Sequence, residues 1–281
     1  MYTFSTPSPA NISVELRRGA VRIVASDAPT TQVDMAPLDG DSAAQALIDA
    51  AEVTQDGANI RIHVPRGQDG FFRERGKVLV TVRTPAGSHA LVKAGSAKVA
   101  TEGELGNLRI YSGSGRIDID QGRDVEANTG SGDIKVGHAR GDCDVRTGSG
   151  RIEIGAADGE TRMTTGSGAL SVGKAGAALK AISSSGDVSV RQTGPEVDLF
   201  AASGRVSVEQ AGPGRLRART ASGQVRIGVT RGLPTWLDVR TMSGQVRSSL
   251  DASGPPGEGE DHLKLVVQTT SGGVTLDHAT P

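Results

Sequence analysis

The chain has 281 residues, 31 Lys plus Arg against 32 Asp plus Glu and a formal net charge of −1, which excludes both a bulk-basic nucleic-acid binder and an acidic solvating tail. Its 39 glycines are about twice the usual share of ~7%, and Phe, Trp and Tyr make up only 2%, so the core is thin and built from small and aliphatic side chains. The single cysteine, Cys143, rules out an internal disulfide framework and a cysteine-based zinc cluster.

Taken in chain order, Ile12–Leu16, Val21–Ala25 and Gln32–Met35 alternate as strands do. Ser42 and Gln45 have capping-box spacing ahead of an Ala-rich stretch, which predicts a short helix over Ser42–Val53. Asn59–Val64 and Lys77–Arg83 return to strand alternation. The loop between them, Arg66–Gly76, holds Phe71, Phe72, Arg73 and Arg75. Adjacent phenylalanines in a polar loop either fold back as a plug or meet a membrane or a partner. Residues 1–90 therefore read as an N-terminal cap region. Met1–Leu16 lacks the basic leader and apolar stretch of a secretory signal, and no apolar run reaches the ~20 residues of a membrane helix. A cytoplasmic protein is the expectation.

From there a repeat governs the chain. Ser-Gly recurs with its glycine at 115, 132, 150, 168, 186, 204, 223, 244 and 272, most often 18 residues apart, and a degenerate copy runs Gly95–Val99. Two places after the glycines stand Ile117, Ile134, Ile152, Leu170, Val188, Val206, Val225, Val246 and Val274. Four places after, every residue is aliphatic except Ser248. Seven and five places before them lies a second apolar pair, such as Leu179/Ala181 or Leu216/Ala218. Each period thus carries two half-buried strands and two turns. The longest period holds the excursion Asp251–Asp261.

Two architectures fit this pattern, stacked solenoid coils or serial hairpins, and the polar columns choose between them. Six places before the glycines the chain reads Arg109, Glu126, Asp144, Arg162, Lys180, Asp198, Arg217, Asp238. Five of these seven successive pairs are opposite in sign. Arg116, Asp133, Arg151 and Asp118, Lys135, Glu153 alternate likewise. Opposite charges favour stacking in register about 4.8 Å apart. The fold class read from the sequence is all-β, a β-solenoid of ~18-residue coils with two strands each, over residues 91–281 and continuous with the cap as one elongated domain. Consecutive coils are expected to stack in chain order. The glycines are expected to supply positive φ at the corners, and the Thr residues three places before them to bond along a column.

The copies Thr-Gly-Ser-Gly-Asp-Ile-Lys-Val (129–136) and Thr-Gly-Ser-Gly-Arg-Ile-Glu-Ile (147–154), with the opening Ile12–Ala25, resemble the adhesin-like proteins with β-strand repeats, a bacterial domain of unknown function. A cytoplasmic, actinobacterial-type subset is most similar. The resemblance covers nearly the whole chain. It implies a β-strand repeat architecture and an adhesin-like binding role, and it assigns no cofactor and no catalytic residue.

The residues themselves agree. The five histidines are scattered, and a serine repeated in nine turns is a turn residue rather than a nucleophile. Asp118, Asp120, Asp124 and Glu126 mimic the acidic groove of a carbohydrate-active β-helix enzyme, and that is the alternative function. Cys143 reads as a small core residue and Trp236 as cover for a coil edge. Charge is uneven: residues 101–160 carry twelve acidic and seven basic side chains, and residues 201–250 carry eight arginines against Glu209 and Asp238. Arg217, Arg219, Arg226, Arg240 and Arg247, with the Phe71–Arg75 loop, are the candidate interaction residues. The partner is expected to be a protein, an anionic polymer or a membrane surface, with weak homo-oligomerisation and no sequence-specific nucleic acid. A scaffold that presents its stacked faces to such a partner is the primary functional reading, and a self-assembling structural protein is a further alternative.

Overall fold

The computed structural model describes residues 1–38, 42–65, 76–250 and 261–279. Phe71, Phe72, Arg73 and Arg75 lie outside the described residues, as does the excursion 251–260. The chain divides into two compact units, Met1–Arg140 and Gly141–Pro281; both are built on parallel, in-register β-solenoid coils, and the first also contains antiparallel strand pairs.

The first unit comprises β1 (Tyr2–Ser5), β2 (Asn11–Ser26), β3 (Thr30–Pro37), α1 (Ser42–Asp49), β4 (Glu52–Asp56), β5 (Asn59–His63), β6 (Val78–Pro85), β7 (His89–Leu105), β8 (Leu108–Ser112), β9 (Ile117–Gly122), β10 (Val125–Thr129) and β11 (Ile134–Ala139). The two strands expected at Ile12–Leu16 and Val21–Ala25 are one. β2 is unbroken over 16 residues and bends at Gly19, where φ is 133° and the Val78 backbone occupies the place of a Cβ. Its first half pairs with β5 (Ile12↔Ile60), its second half with β6 (Val21↔Val80), and its whole length with β7. β7 pairs in turn with β8 and β9, and these with β10 and β11.

The helix is shorter than expected. It ends at Asp49, and Gln45 Nε2 donates to Asp49 Oδ1 at 2.8 Å instead of capping the N-terminus. The chain then turns at Gly57 (φ 56°) so that β4 folds back antiparallel on β5, with Val53 opposite Ile62. The Asp56-Gly57 turn and this cross-strand aliphatic pair outweigh the helix propensity of the Ala-rich stretch.

The second unit comprises β12 (Cys143–Ser149), β13 (Ile152–Ala157), β14 (Thr161–Ser167), β15 (Leu170–Ala175), β16 (Leu179–Ser185), β17 (Val188–Gln192), β18 (Glu196–Ser203), β19 (Val206–Ala211), β20 (Gly214–Ser222), β21 (Val225–Val229), β22 (Thr235–Ser243), β23 (Val246–Ser248), β24 (Leu263–Ser271) and β25 (Val274–His278). The predicted apolar columns point inward: Ile152, Ile154, Met163, Leu199, Val206, Ile227, Leu265 and Leu276 are all buried.

The order of the last coils differs from chain order. β20 pairs with β24 and β21 with β25. β22 and β23 then pair on the far side of β24 and β25. The C-terminal coil is thus inserted between its two predecessors, and Arg217 and Asp238 both face Val266 instead of each other. Stacking in chain order would set Arg219 against Arg240 and Arg226 against Arg247, like charge on like charge. Insertion separates each pair by Gln268 or Thr275. It also places Ser248, the one polar residue of its column, in the outermost coil. Leu237 and Val246 are consequently 40% and 47% exposed although they occupy inward columns.

The glycine column also has another cause than the one expected. Of the nine Ser-Gly glycines only Gly244 has positive φ, at 157°. A Cβ on Gly132 would overlap the carbonyl oxygen of Gly115, one on Gly168 that of Gly150, one on Gly186 that of Gly168 and one on Gly204 that of Gly186. Glycine is required because coil backbones approach closely there. The buried hydroxyl three places earlier donates to that same carbonyl: Thr165 Oγ1 to Gly150 O at 3.2 Å, Ser183 Oγ to Gly168 O at 3.1 Å, Thr220 Oγ1 to Gly204 O at 3.4 Å. These three hydroxyls bond back to the previous coil rather than to one another.

Candidate functional site

The five arginines singled out from the C-terminal coils divide between two sheets. Arg217 and Arg219 lie on β20 and Arg240 on β22. Arg219 Nη2 binds both oxygens of Asp198, at 3.0 and 3.1 Å, and its guanidinium lies 5.9 Å from the Phe200 ring centroid. Arg240 is held by Asp238, Nε to Oδ1 at 3.0 Å and Nη2 to Oδ2 at 3.1 Å. These two arginines are committed within the sheet.

On the other sheet Arg226 and Arg247, with Arg205 from the turn before β19, surround a hollow of about 290 Å³ whose floor is Thr275 and whose rim includes Gln224 and Gln245. Arg205 keeps an ion pair with Asp187 at 4.0 Å, and Arg247 Nη2 donates to Gln245 Oε1 at 2.9 Å. Arg226 is exposed and its side chain has no hydrogen bond or ion pair among the described residues. The hollow is therefore cationic, lined with donors and open to solvent. It suits acidic oxygens that arginine can grip with two bonds.

A larger groove, about 1,000 Å³, runs along the corner of the first unit between β2, β7 and β8, and Arg17, Arg18, His63, Lys93, Tyr111 and Ser114 are among its lining. His63 Nδ1 stands 3.4 Å from Glu15, and the Ser96 and Ser114 hydroxyls bond at 3.0 Å. Tyr111 donates its hydroxyl to Glu126 at 2.7 Å, a bond that raises the phenol above its ordinary pKa. Sequence reading missed this group because its members meet only through strand pairing. The signals present were Arg17-Arg18-Gly19 in β2 and the degenerate repeat at Gly95.

The acidic residues that could imitate a hydrolase groove are each occupied locally. Asp118 binds Arg116 at 2.7 Å and Lys98 at 3.5 Å. Asp120 accepts the Gly103 amide at 2.9 Å, and Glu126 holds Tyr111. Among the described residues no three His, Cys, Asp or Glu side chains form a metal-binding group, and no helix is long and apolar enough to cross a membrane. Cys143 is buried beside Val145, and burial first, then the Asp144 charge, pushes its thiol up to about 12. Trp236 is 48% exposed on the outermost coil, with Lys264 Nζ 4.7 Å from its ring centroid.

A parallel β-solenoid built on a stacked Ser-Gly corner defines a repeat protein of the kind the opening resemblance implies. Residues 49–278 match the Toastrack DUF4097 family, a domain of unknown function, and the chain belongs to that family. No curated protein matches it. Among solved structures it is similar to a "putative adhesin" of Parabacteroides merdae (11% identity, 98% of this chain and 95% of that one, TM-score 0.45). A "putative lipid binding protein" of Parabacteroides distasonis is also similar (12%, 98% and 95%, TM-score 0.43), as is a "putative adhesin" of Bacteroides fragilis (10%, 98% and 95%, TM-score 0.39).

Proposed function

We propose that this is a non-enzymatic binding protein whose C-terminal coils hold an anionic polymer on the face of Arg205, Arg226 and Arg247. The observation that carries the reading is the hollow around Thr275, where Arg226 has no acidic partner among the described residues while Arg219 and Arg240 on the opposite sheet are neutralised. Like cations set two strands apart repel one another, and an anionic chain laid along the stack relieves that cost. A concave row of donors suits a chain of acidic groups better than a flat bilayer. The commitment of Asp118, Asp120 and Glu126 to local partners supports binding over hydrolysis.

The test is binding of the full chain to long-chain polyphosphate by fluorescence anisotropy across a salt series. Vesicles carrying anionic lipid form a parallel arm. Affinity for the polymer should fall steeply as salt rises, and Arg226→Glu with Arg247→Glu should weaken it at least about tenfold, the loss of roughly 1.4 kcal/mol. Equal binding by the double variant, or binding to vesicles alone, overturns the assignment.

A further inference from the structure

The outermost coil of the second unit has an edge that no strand pairs among the described residues. β22 meets β24 along one side, from Thr235↔Leu263 to Ser243↔Ser271, and its other side has no strand partner among the described residues. Edge strands are ordinarily blunted by lysine, proline or a bulge. Within β22 none of these occurs; Pro234 stands just before it. The large apolar side chains exposed among the described residues of this unit all belong to this coil: Trp236 at 48%, Leu237 at 40%, Met242 at 85% and Val246 at 47%. An exposed apolar cluster on an open strand edge is an interaction surface.

We propose that the free edge of β22 receives β22 of a second copy of this chain, antiparallel, about a two-fold axis through Val239. The strand Thr235-Trp236-Leu237-Asp238-Val239-Arg240-Thr241-Met242-Ser243 is complementary to its own reverse. Across the axis Asp238 faces Arg240 of the second copy and Arg240 faces Asp238, giving two opposite-charge pairs. Trp236 faces Met242, a thioether against an indole, and Leu237 faces Thr241. These are directly opposed cross-strand pairs, the arrangement in which side chains interact most strongly. Asp238 and Arg240 already bind each other along the strand, so both lie on one side of it and can re-pair across the axis without reorienting. Parallel, in-register pairing would set Asp238 on Asp238 and Arg240 on Arg240, so charge selects the antiparallel mode. The resulting contact is isologous and closes at a dimer. A two-fold normal to the sheet keeps each sheet on its own side, which brings the Arg226 and Arg247 faces of both copies onto one surface.

Sedimentation of the full chain over a concentration series tests this. The wild type should show a monomer–dimer equilibrium. Asp238→Arg alone and Arg240→Asp alone should each weaken association at least about tenfold, because each sets like charges opposite, while the Asp238→Arg/Arg240→Asp double variant should return to within about threefold of wild type. Circular dichroism of the single variants separates lost pairing from lost folding. Val239→Cys should give a disulfide-linked dimer on mild oxidation, with the native Cys143 buried and out of reach. A wild type monomeric at hundreds of micromolar, a double variant no better than the singles, or failure of Val239→Cys to cross-link under conditions where the wild type associates would each overturn the proposal.

Discussion

Arg226 and Arg247 stand on either side of Thr275, one strand from it each and two strands from one another. The C-terminal strand that carries Thr275 therefore keeps two guanidinium groups from direct opposition and leaves them sharing a polar floor. Thr275→Glu would put an acidic group between them, and opposed charges on adjacent strands are worth about 0.2–1 kcal/mol per pair. The variant should unfold at equal or higher urea concentration than wild type. Its affinity for polyphosphate should fall, because the added carboxylate occupies the arginines from within. A lower midpoint together with unchanged binding would place the two arginines outside the binding face.

The Ser-Gly dipeptide divides its work unequally. Ser167 is exposed with no side-chain partner among the described residues, while a Cβ on Gly168 would strike the Gly150 carbonyl. Ser167→Ala should change stability by no more than about 0.5 kcal/mol. Gly168→Ala should cost about 1–3 kcal/mol, the range of an overpacked contact that the backbone must move to relieve. Urea midpoints of the two variants measure this directly, and equal losses would return the corner to a side-chain explanation.

The same pair of residues marks how far the sequence could be read. Within the Ser-Gly repeat the period, strand positions and inward columns were visible, because Ile152, Leu170, Val188 and Val206 recur at one phase and nothing else there competes with that signal. The cause of the glycine column was not, since a close backbone approach and a positive φ both demand glycine. Coil order was hidden for a related reason: Leu237 and Leu265 occupy the same column, so either coil fits against Leu216. Only two marks distinguished them. One is Ser248, polar in a column of aliphatics. The other is the facing of Arg219 with Arg240 and Arg226 with Arg247 that chain order would impose. The cationic groove of Arg17, Lys93 and Tyr111 left no compact motif at all, because three separate strand pairings assemble it.

Cys143 links stability to alkaline pH. Burial raises its thiol from 9.0 to about 12 in the folded chain. Below pH 9 both states keep the proton and the contribution is fully present. Between 9 and 12 the unfolded chain loses a proton that the native chain retains, so stability falls by about 1.4 kcal/mol per pH unit from this group. The contribution is gone once pH passes the folded value. Cys143→Ala removes this slope, so the stability gap between wild type and variant should narrow as pH rises from 9 to 11. Urea titrations at each pH measure the gap, and a constant gap would mean that the thiol titrates alike in both states. In the native chain at pH 8 the thiol should also resist alkylation and react only on unfolding.

Thr165 and Thr269 occupy equivalent buried positions three places before their glycines, and their hydroxyls fare differently. Thr165 Oγ1 donates to Gly150 O at 3.2 Å. Thr269 Oγ1 is buried without any hydrogen-bond partner. Replacing either by valine keeps the branched shape and exchanges the hydroxyl for a methyl group. At Thr165 a made hydrogen bond is lost, a cost of about 0.5–1.5 kcal/mol. At Thr269 the wild type already bears the desolvation of an unpaired hydroxyl, so removing it should leave stability unchanged or raise it by up to about 1 kcal/mol. The difference between the two variants is the informative quantity, since the common change in shape cancels. Thr269 lies in the inserted coil, between Thr220 and Thr241, and there the hydroxyl-to-carbonyl bond of Thr165, Ser183 and Thr220 lapses, as it also does at Thr241. Equal destabilisation by Thr165→Val and Thr269→Val would show that the inserted coil keeps the same hydroxyl bond as Thr165.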